Sequence, residues 1–215
     1  MAQRRLKTVL TEFLNNLGDC RQLSAEAHHL APPGLRGRQN VLTVQKWRDR
    51  MTEMAFLRAF LAWESFLEET FVLYLSGQSP PRGRTPKRNV VPLSQNIATT
   101  LIFEGRGYAQ WTSMSVVRER ADRFFSHGRP FGPILAKNTN SLDEVNTIRN
   151  AIAHRSGSAR ERFETLVRTK IRTLPANLTV GGFLQTTEPG SSPPASFFEF
   201  YVAKIDLAAQ LIVPS

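Results

Sequence analysis

An all-α fold is predicted, and three observations carry the prediction. Apolar residues recur at spacings of three and four over several stretches, glycine and proline clusters stop those stretches, and one start carries a capping signature. With 215 residues, 41% of them hydrophobic, the chain can bury a substantial core within one domain.

The first helix is expected from Arg4 to about Leu30, where Leu6, Val9, Leu10, Phe13, Leu14 and Leu17 share one face. Pro32-Pro33-Gly34 stops it. A second runs from about Thr43 to Leu75, with Gly77 and Ser79-Pro80-Pro81 beyond its end. Its stripe of Phe56, Phe60, Trp63, Leu67, Phe71 and Tyr74 must face the core. Residues 78–92 form a basic loop rich in proline, glycine and arginine, followed by a short helix over 93–103.

Met114 to Phe125 reads as a helix with Val116, Val117, Phe124 and Phe125 as its apolar positions. Gly128, Pro130, Gly132 and Pro133 predict an irregular connection. Ser141-Leu142-Asp143-Glu144 has the form of a capping box, so the next helix is expected to start there and run to about Arg155. Ser156-Gly157-Ser158 closes it, and Ala159 to about Leu174 forms another helix before Pro175. Ala176 to Ala195, with Gly181-Gly182 inside, reads as loop. The last run, Ser196 to Val213, mixes strand-like aromatics with Val202, Ile205, Leu207 and Leu211, and is assigned to a helix.

The lone Cys20 has no intramolecular disulfide partner, and the first residues lack the apolar run of a signal peptide. Even Met54 to Leu75 carries Arg58, Glu64, Glu68 and Glu69, which makes it a poor membrane span. A soluble cytoplasmic protein is expected. Asn177-Leu178-Thr179 is a chance match to a glycosylation acceptor. The net charge of +10 is concentrated: residues 78–137 hold 10 Lys and Arg against 3 Asp and Glu, which is +7 of the total. Such a patch suits a polyanion, although a solvated face that aids solubility has the same composition.

Several chemistries are disfavoured. The chain has no phosphate-loop, His-Glu-x-x-His, Gly-x-Ser-x-Gly or Gly-x-Gly-x-x-Gly motif. Adjacent His28 and His29 diverge by about 100° on a helix and lack further ligands, so no metal is expected there. His127, before Gly128, reads as a turn residue.

One span differs. Ile148-Arg149-Asn150-Ala151-Ile152-Ala153-His154 joins a permanent cation for phosphate oxygens to an imidazole that can move a proton near neutral pH. Asn150 and His154 are i and i+4 neighbours, opposite the apolar Ile148 and Ile152. Arg149 stands about 140° around the axis and about 7.5 Å along it from His154, so it must curl to reach the same ligand. A twofold dimer would relieve this by setting each arginine near the partner's histidine. The plain structural alternative is a pair of cations, His154 and Arg155, completing a helix C-terminus.

Arg149-Asn150-Ala151-Ile152-Ala153-His154 resembles the R-x4-6-H signature of the HEPN superfamily, including the asparagine after the arginine. The earlier helix with Phe60-Leu61-Ala62-Trp63-Glu64-Ser65-Phe66 fits the same pattern, and the chain is similar to the RiboL-PSP-HEPN group over about residues 43–174, at its widest 3–213. The resemblance implies a single HEPN-like domain over 1–215, a bundle of four to five core helices with extra loops. Helices 3–31 and 196–213 would pack on its core. It implies a metal-independent ribonuclease without cofactor, dimeric, acting on RNA as a toxin or antiphage effector, with an antitoxin or defence partner. His154 would move protons, Arg149 would neutralise charge on the phosphate, and Asn150 would position either. Glu64 would face the motif, unless it is simply an exposed helix residue beside Glu68 and Glu69. Arg82, Arg84, Lys87 and Arg88 are the expected RNA-binding residues. Other readings are a non-catalytic HEPN RNA-binding or assembly module and a helical partner-binding protein such as an antitoxin.

Overall fold

Backbone hydrogen bonding among the described residues is mainly helical. The computed structural model describes residues 4–29, 38–103, 109–154 and 156–215, and among these no β-strand forms, only isolated bridges pairing Arg88 with Phe125 and Thr187 with Ser196. The expected stop at Pro32-Pro33-Gly34 and the residue Arg155 lie outside the described residues. The helices are α1 (Leu6–His29), α2 (Arg38–Leu75), α3 (Gln95–Phe103), α4 (Met114–Phe124), α5 (Phe131–Lys137), α6 (Thr139–Ala153), α7 (Gly157–Ile171), α8 (Val180–Gln185) and α9 (Phe197–Ile212). A 3-10 turn, Ser126–Gly128, joins α4 to α5.

The chain divides into two compact units. The first comprises Met1–Asn15, Ala62–Asp143 and Lys204–Ser215; the second comprises Asn16–Leu61 and Glu144–Ala203. In the first, Phe71 is fully buried and its ring lies 4.9 Å from both Phe125 and Phe131 and 5.5 Å from Trp111. Each such ring removes about 150–250 Å² from water, so this cluster adds substantially to cohesion there. Thr70, wholly buried beside it, satisfies its hydroxyl by donating to Phe66 O at 2.6 Å.

The basic loop of this unit is laced down at several points. The Arg88 guanidinium donates to Leu75 O at 3.0 Å, completing the C-terminus of α2, where Gly77 at φ +95 turns the chain. Asn89 N–H donates to Phe124 O at 2.9 Å, and Ser126 N–H donates to Lys87 O at 2.8 Å. Arg82 N–H donates to Pro214 O at 3.0 Å, while the Tyr74 hydroxyl donates to Ile212 O at 2.7 Å.

The second unit is held by Phe163, Phe183, Phe197 and Tyr201, with Phe183 and Phe197 stacked at 4.4 Å. Glu144 accepts from the Tyr201 hydroxyl at 3.0 Å and pairs with Lys170 at 2.8 Å. Burial, together with this carboxylate, pushes the Tyr201 hydroxyl well above the usual tyrosine range.

Three expectations need correction. Ser141 does not cap α6: the helix begins at Thr139, Leu142 N–H donates to Asn138 O at 3.0 Å, and Glu144 is engaged by Tyr201 and Lys170 instead of reaching back. The region after Gly128 is not wholly irregular, because α5 forms there; Pro133 falls in its first turn, where a missing N–H has no partner to lose. The stretch 176–195 contains α8, although glycines occupy its second and third positions. The six-residue aromatic stripe of α2 is buried as expected, and the apolar residues of α9 confirm a helix there.

Candidate active site around His154

Local sequence sets the position of the Arg149–His154 span. Leu142, Val145 and Ile148 bury one face of α6, so the half-buried Arg149 and Asn150 and the exposed His154 emerge from its C-terminal end. Regular helix stops at Ala153, yet His154 N–H still donates to Asn150 O at 2.9 Å. Ser156 then starts α7, its hydroxyl accepting from Ala159 N–H at 3.3 Å.

Within one chain, Arg149 curls around to the histidine. Its Nη1 stands 3.3 Å from His154 Nε2 and donates to Asn150 Oδ1 at 3.0 Å, while its Cζ lies 5.6 Å over the Phe60 ring. Asn150 Nδ2 in turn donates to Asn146 Oδ1 at 3.4 Å. An arginine has no acceptor, so the contact is a hydrogen bond only when His154 Nε2 offers its lone pair and the ring proton is on Nδ1. Arg149 Nε, buried, meets no acceptor among the described residues. An orphaned buried donor is uncommon and calls for an explanation.

His154 lines a cavity of 390 Å³ with Glu53 from α2, Arg160, Phe163 and Glu164 from α7, and Thr179 and Val180 at the start of α8. Arg149 does not line it and reaches it only through the imidazole. Glu53 accepts from Gly181 N–H at 2.9 Å. Burial raises its carboxyl above the ordinary glutamate range; the Gly181 bond opposes the rise and neighbouring Asp49 adds to it. Arg160 pairs with Glu164 at 2.8 Å on an exposed helical face, an ion pair of small energetic weight that an incoming anion can replace.

The wall formed by α8 depends on a close crossing over α2. Thr179 caps α8 by accepting from Gly182 N–H at 2.9 Å and donates to Asp49 Oδ2 at 2.5 Å. Asp49, nearly buried, also accepts from Gln45 at 2.7 Å and Gln185 at 3.2 Å. A Cβ on Gly181 would sit 2.2 Å from Asp49 O, so only glycine fits.

The expected residues are therefore distributed unevenly. Arg149, Asn150 and His154 come together. Glu64 is half-buried in the first unit and is not among the residues lining the cavity. Glu53, which no local motif marks, lines the cavity with His154; the glycine pair at 181–182, a sign of close backbone approach, is the signal that could have pointed toward its neighbourhood. Of the basic set, Arg82, Arg84 and Lys87 are exposed in the first unit, whereas Arg88 is half-buried and serves the end of α2. Among the described residues no group of three His, Cys, Asp or Glu side chains is arranged to hold a metal ion, and no helix is long and apolar enough to cross a membrane. Comparison with protein-family models, curated proteins and solved structures finds no match to this chain.

Proposed function

We propose that the protein is a metal-independent endoribonuclease of the HEPN type, serving as a toxin or defence effector. The observation that carries this reading is the 3.3 Å approach of Arg149 Nη1 to His154 Nε2 at the edge of a cavity that also holds Glu53, whose carboxyl burial raises above the ordinary glutamate range. With RNA bound, Arg149 leaves His154 Nε2 for the phosphate; the freed Nε2 takes the proton from the RNA 2′-hydroxyl, the 2′-oxygen attacks phosphorus, and the P–O5′ bond breaks. Glu53 gives its proton to the departing 5′-oxygen, and Arg149 and Arg160 stabilise charge on the non-bridging oxygens. The products are a 2′,3′-cyclic phosphate and a 5′-hydroxyl. DNA, which lacks the nucleophile, is left intact.

Purified protein is expected to cleave single-stranded RNA and leave DNA of the same sequence whole. Arg149→Ala and His154→Ala should each lower the rate about 10²–10⁴-fold while circular dichroism and the unfolding midpoint stay near wild type. Wild type that cleaves no RNA, alone or with a companion protein, rejects the reading. The composite twofold site suggested by the motif's angular spacing is an alternative source of the second proton carrier. Mixing the two variants distinguishes the cases: activity returns only where each chain completes the other's site. An RNA-binding module without turnover is the second reading, favoured by the engagement of Arg149 with Phe60 inside its own chain. Binding without cleavage, unchanged by either substitution, selects it.

A further inference from the structure

A second concavity, in the first unit, has a different character. It is a groove of 580 Å³ between the basic loop, which supplies Arg84 and Lys87, and the turn after α4, which supplies His127 and Arg129. No carboxylate is among its lining residues, and among the described residues none of these three Arg and Lys side chains is ion-paired. Pro86, Pro130 and Pro133 provide flat apolar faces between the cations. The two walls are fixed to each other by the Ser126 N–H bond to Lys87 O at 2.8 Å and by the Arg88–Phe125 bridge.

The turn wall is held in an unusual conformation. His127 has φ +56 and is followed by Gly128 at φ +64, two successive left-handed residues. A Cβ at Gly128 would come within 2.3 Å of Asp122 Oδ1, so the turn closes tightly and His127 is exposed on the groove.

The geometry points to a phosphodiester-binding site for a single nucleic-acid strand, in which Arg84, Lys87 and Arg129 contact successive phosphates and the proline faces take sugar or base. A duplex presents a convex cylinder and is usually read by an element that protrudes into it. A cationic concavity with apolar faces instead suits a flexible strand. The groove lies within the segment that carries +7 of the net charge, and it adds Arg129 to the cations that the loop alone suggests. This inference deepens the ribonuclease reading by giving its substrate an anchoring site, but it stands on binding.

The test is fluorescence anisotropy with a labelled 2′-fluoro oligouridylate of about a dozen nucleotides, which has no attacking hydroxyl and so reports binding whatever the catalytic outcome. Arg84→Glu combined with Arg129→Glu should weaken binding at least about tenfold and flatten the dependence of log affinity on log salt by about 1.4, two phosphates at about 0.7 each. Arg162→Glu with Arg168→Glu, exposed on α7 and equal in charge change, should weaken it less than about threefold. Arg84→Lys with Arg129→Lys should bind nearly as wild type. Should the reversal unfold the protein, Lys87→Ala with Arg129→Ala is read in its place, with the same flattening expected. Equal losses in the groove and α7 variants, or equal displacement of the probe by polyglutamate of matched length, overturn the site. A deoxythymidylate strand of the same length identifies the source: weaker binding assigns the groove to RNA, and equal binding assigns it to single strands of either sugar.

Discussion

Arg149 divides its guanidinium between Asn150 and His154, a contact that helical projection places out of easy reach. His154 N–H still makes a helical bond to Asn150 O at 2.9 Å, so the angular offset between the two residues remains and the side chains must close it. The flexible arginine stem supplies the reach. The motif itself was legible because its members are neighbours in the chain. Glu53 was not, since its relation to His154 arises only when α2, α6 and α8 meet around one cavity. Glu53 also has a thermodynamic signature. Its folded-state pKa is raised above the ordinary value of 4.5, so the folded protein holds this proton more firmly than the unfolded chain. The associated stability is complete below about pH 4.5 and is lost as pH rises through the raised value. Glu53→Gln, which keeps an acceptor for Gly181 N–H, should remove this slope from the unfolding midpoint measured between pH 4 and 8. It should also remove a protonated-acid limb from the pH–rate profile of RNA cleavage. A midpoint that retains the wild-type slope would assign the titration to another group.

The long helices followed from their apolar periodicity and the short α3 was also expected, but α5 and α8 were not. Both α5 and α8 are built from residues that usually break helices, and both owe their formation to surroundings. In α5 a proline occupies the first turn, where the helix has no use for its N–H. In α8 the helix-weakening glycine at 181 is required by the Asp49 backbone, a contact that no local window contains. Gly181→Ala should therefore act against propensity: in place of the usual gain from alanine in a helix, overpacking should cost about 1–3 kcal/mol. Urea titration would register this as a lower midpoint with an unchanged slope. A neutral or stabilised variant would mean that α8 can move off α2. The capping-box expectation failed for a similar reason, because Glu144 has stronger partners in Tyr201 and Lys170 than the backbone N–H it would have capped.

Neither compact unit is continuous in sequence: the first draws on three segments and the second on two. The chain therefore cannot be cut at one position to yield either unit, and the basic loop is bound to a residue near the last position of the sequence. Arg82 N–H bonds to Pro214 O, and a Cβ added at Gly83, one residue before the groove cation Arg84, would lie 3.8 Å from the Pro214 ring. A chain ending at Val213 keeps every cation of the groove and loses this anchor. It should show faster hydrogen exchange over residues 82–88 and weaker single-strand binding, with the unfolding midpoint little changed. Unaltered exchange in the loop would show that the Lys87 and Arg88 bonds hold it alone. The same contact governs how the protein can be handled: an affinity tag or fluorophore joined after Ser215 starts one residue from Pro214, which bonds to Arg82 two residues before the groove cation Arg84, so labels for binding work belong elsewhere on the chain.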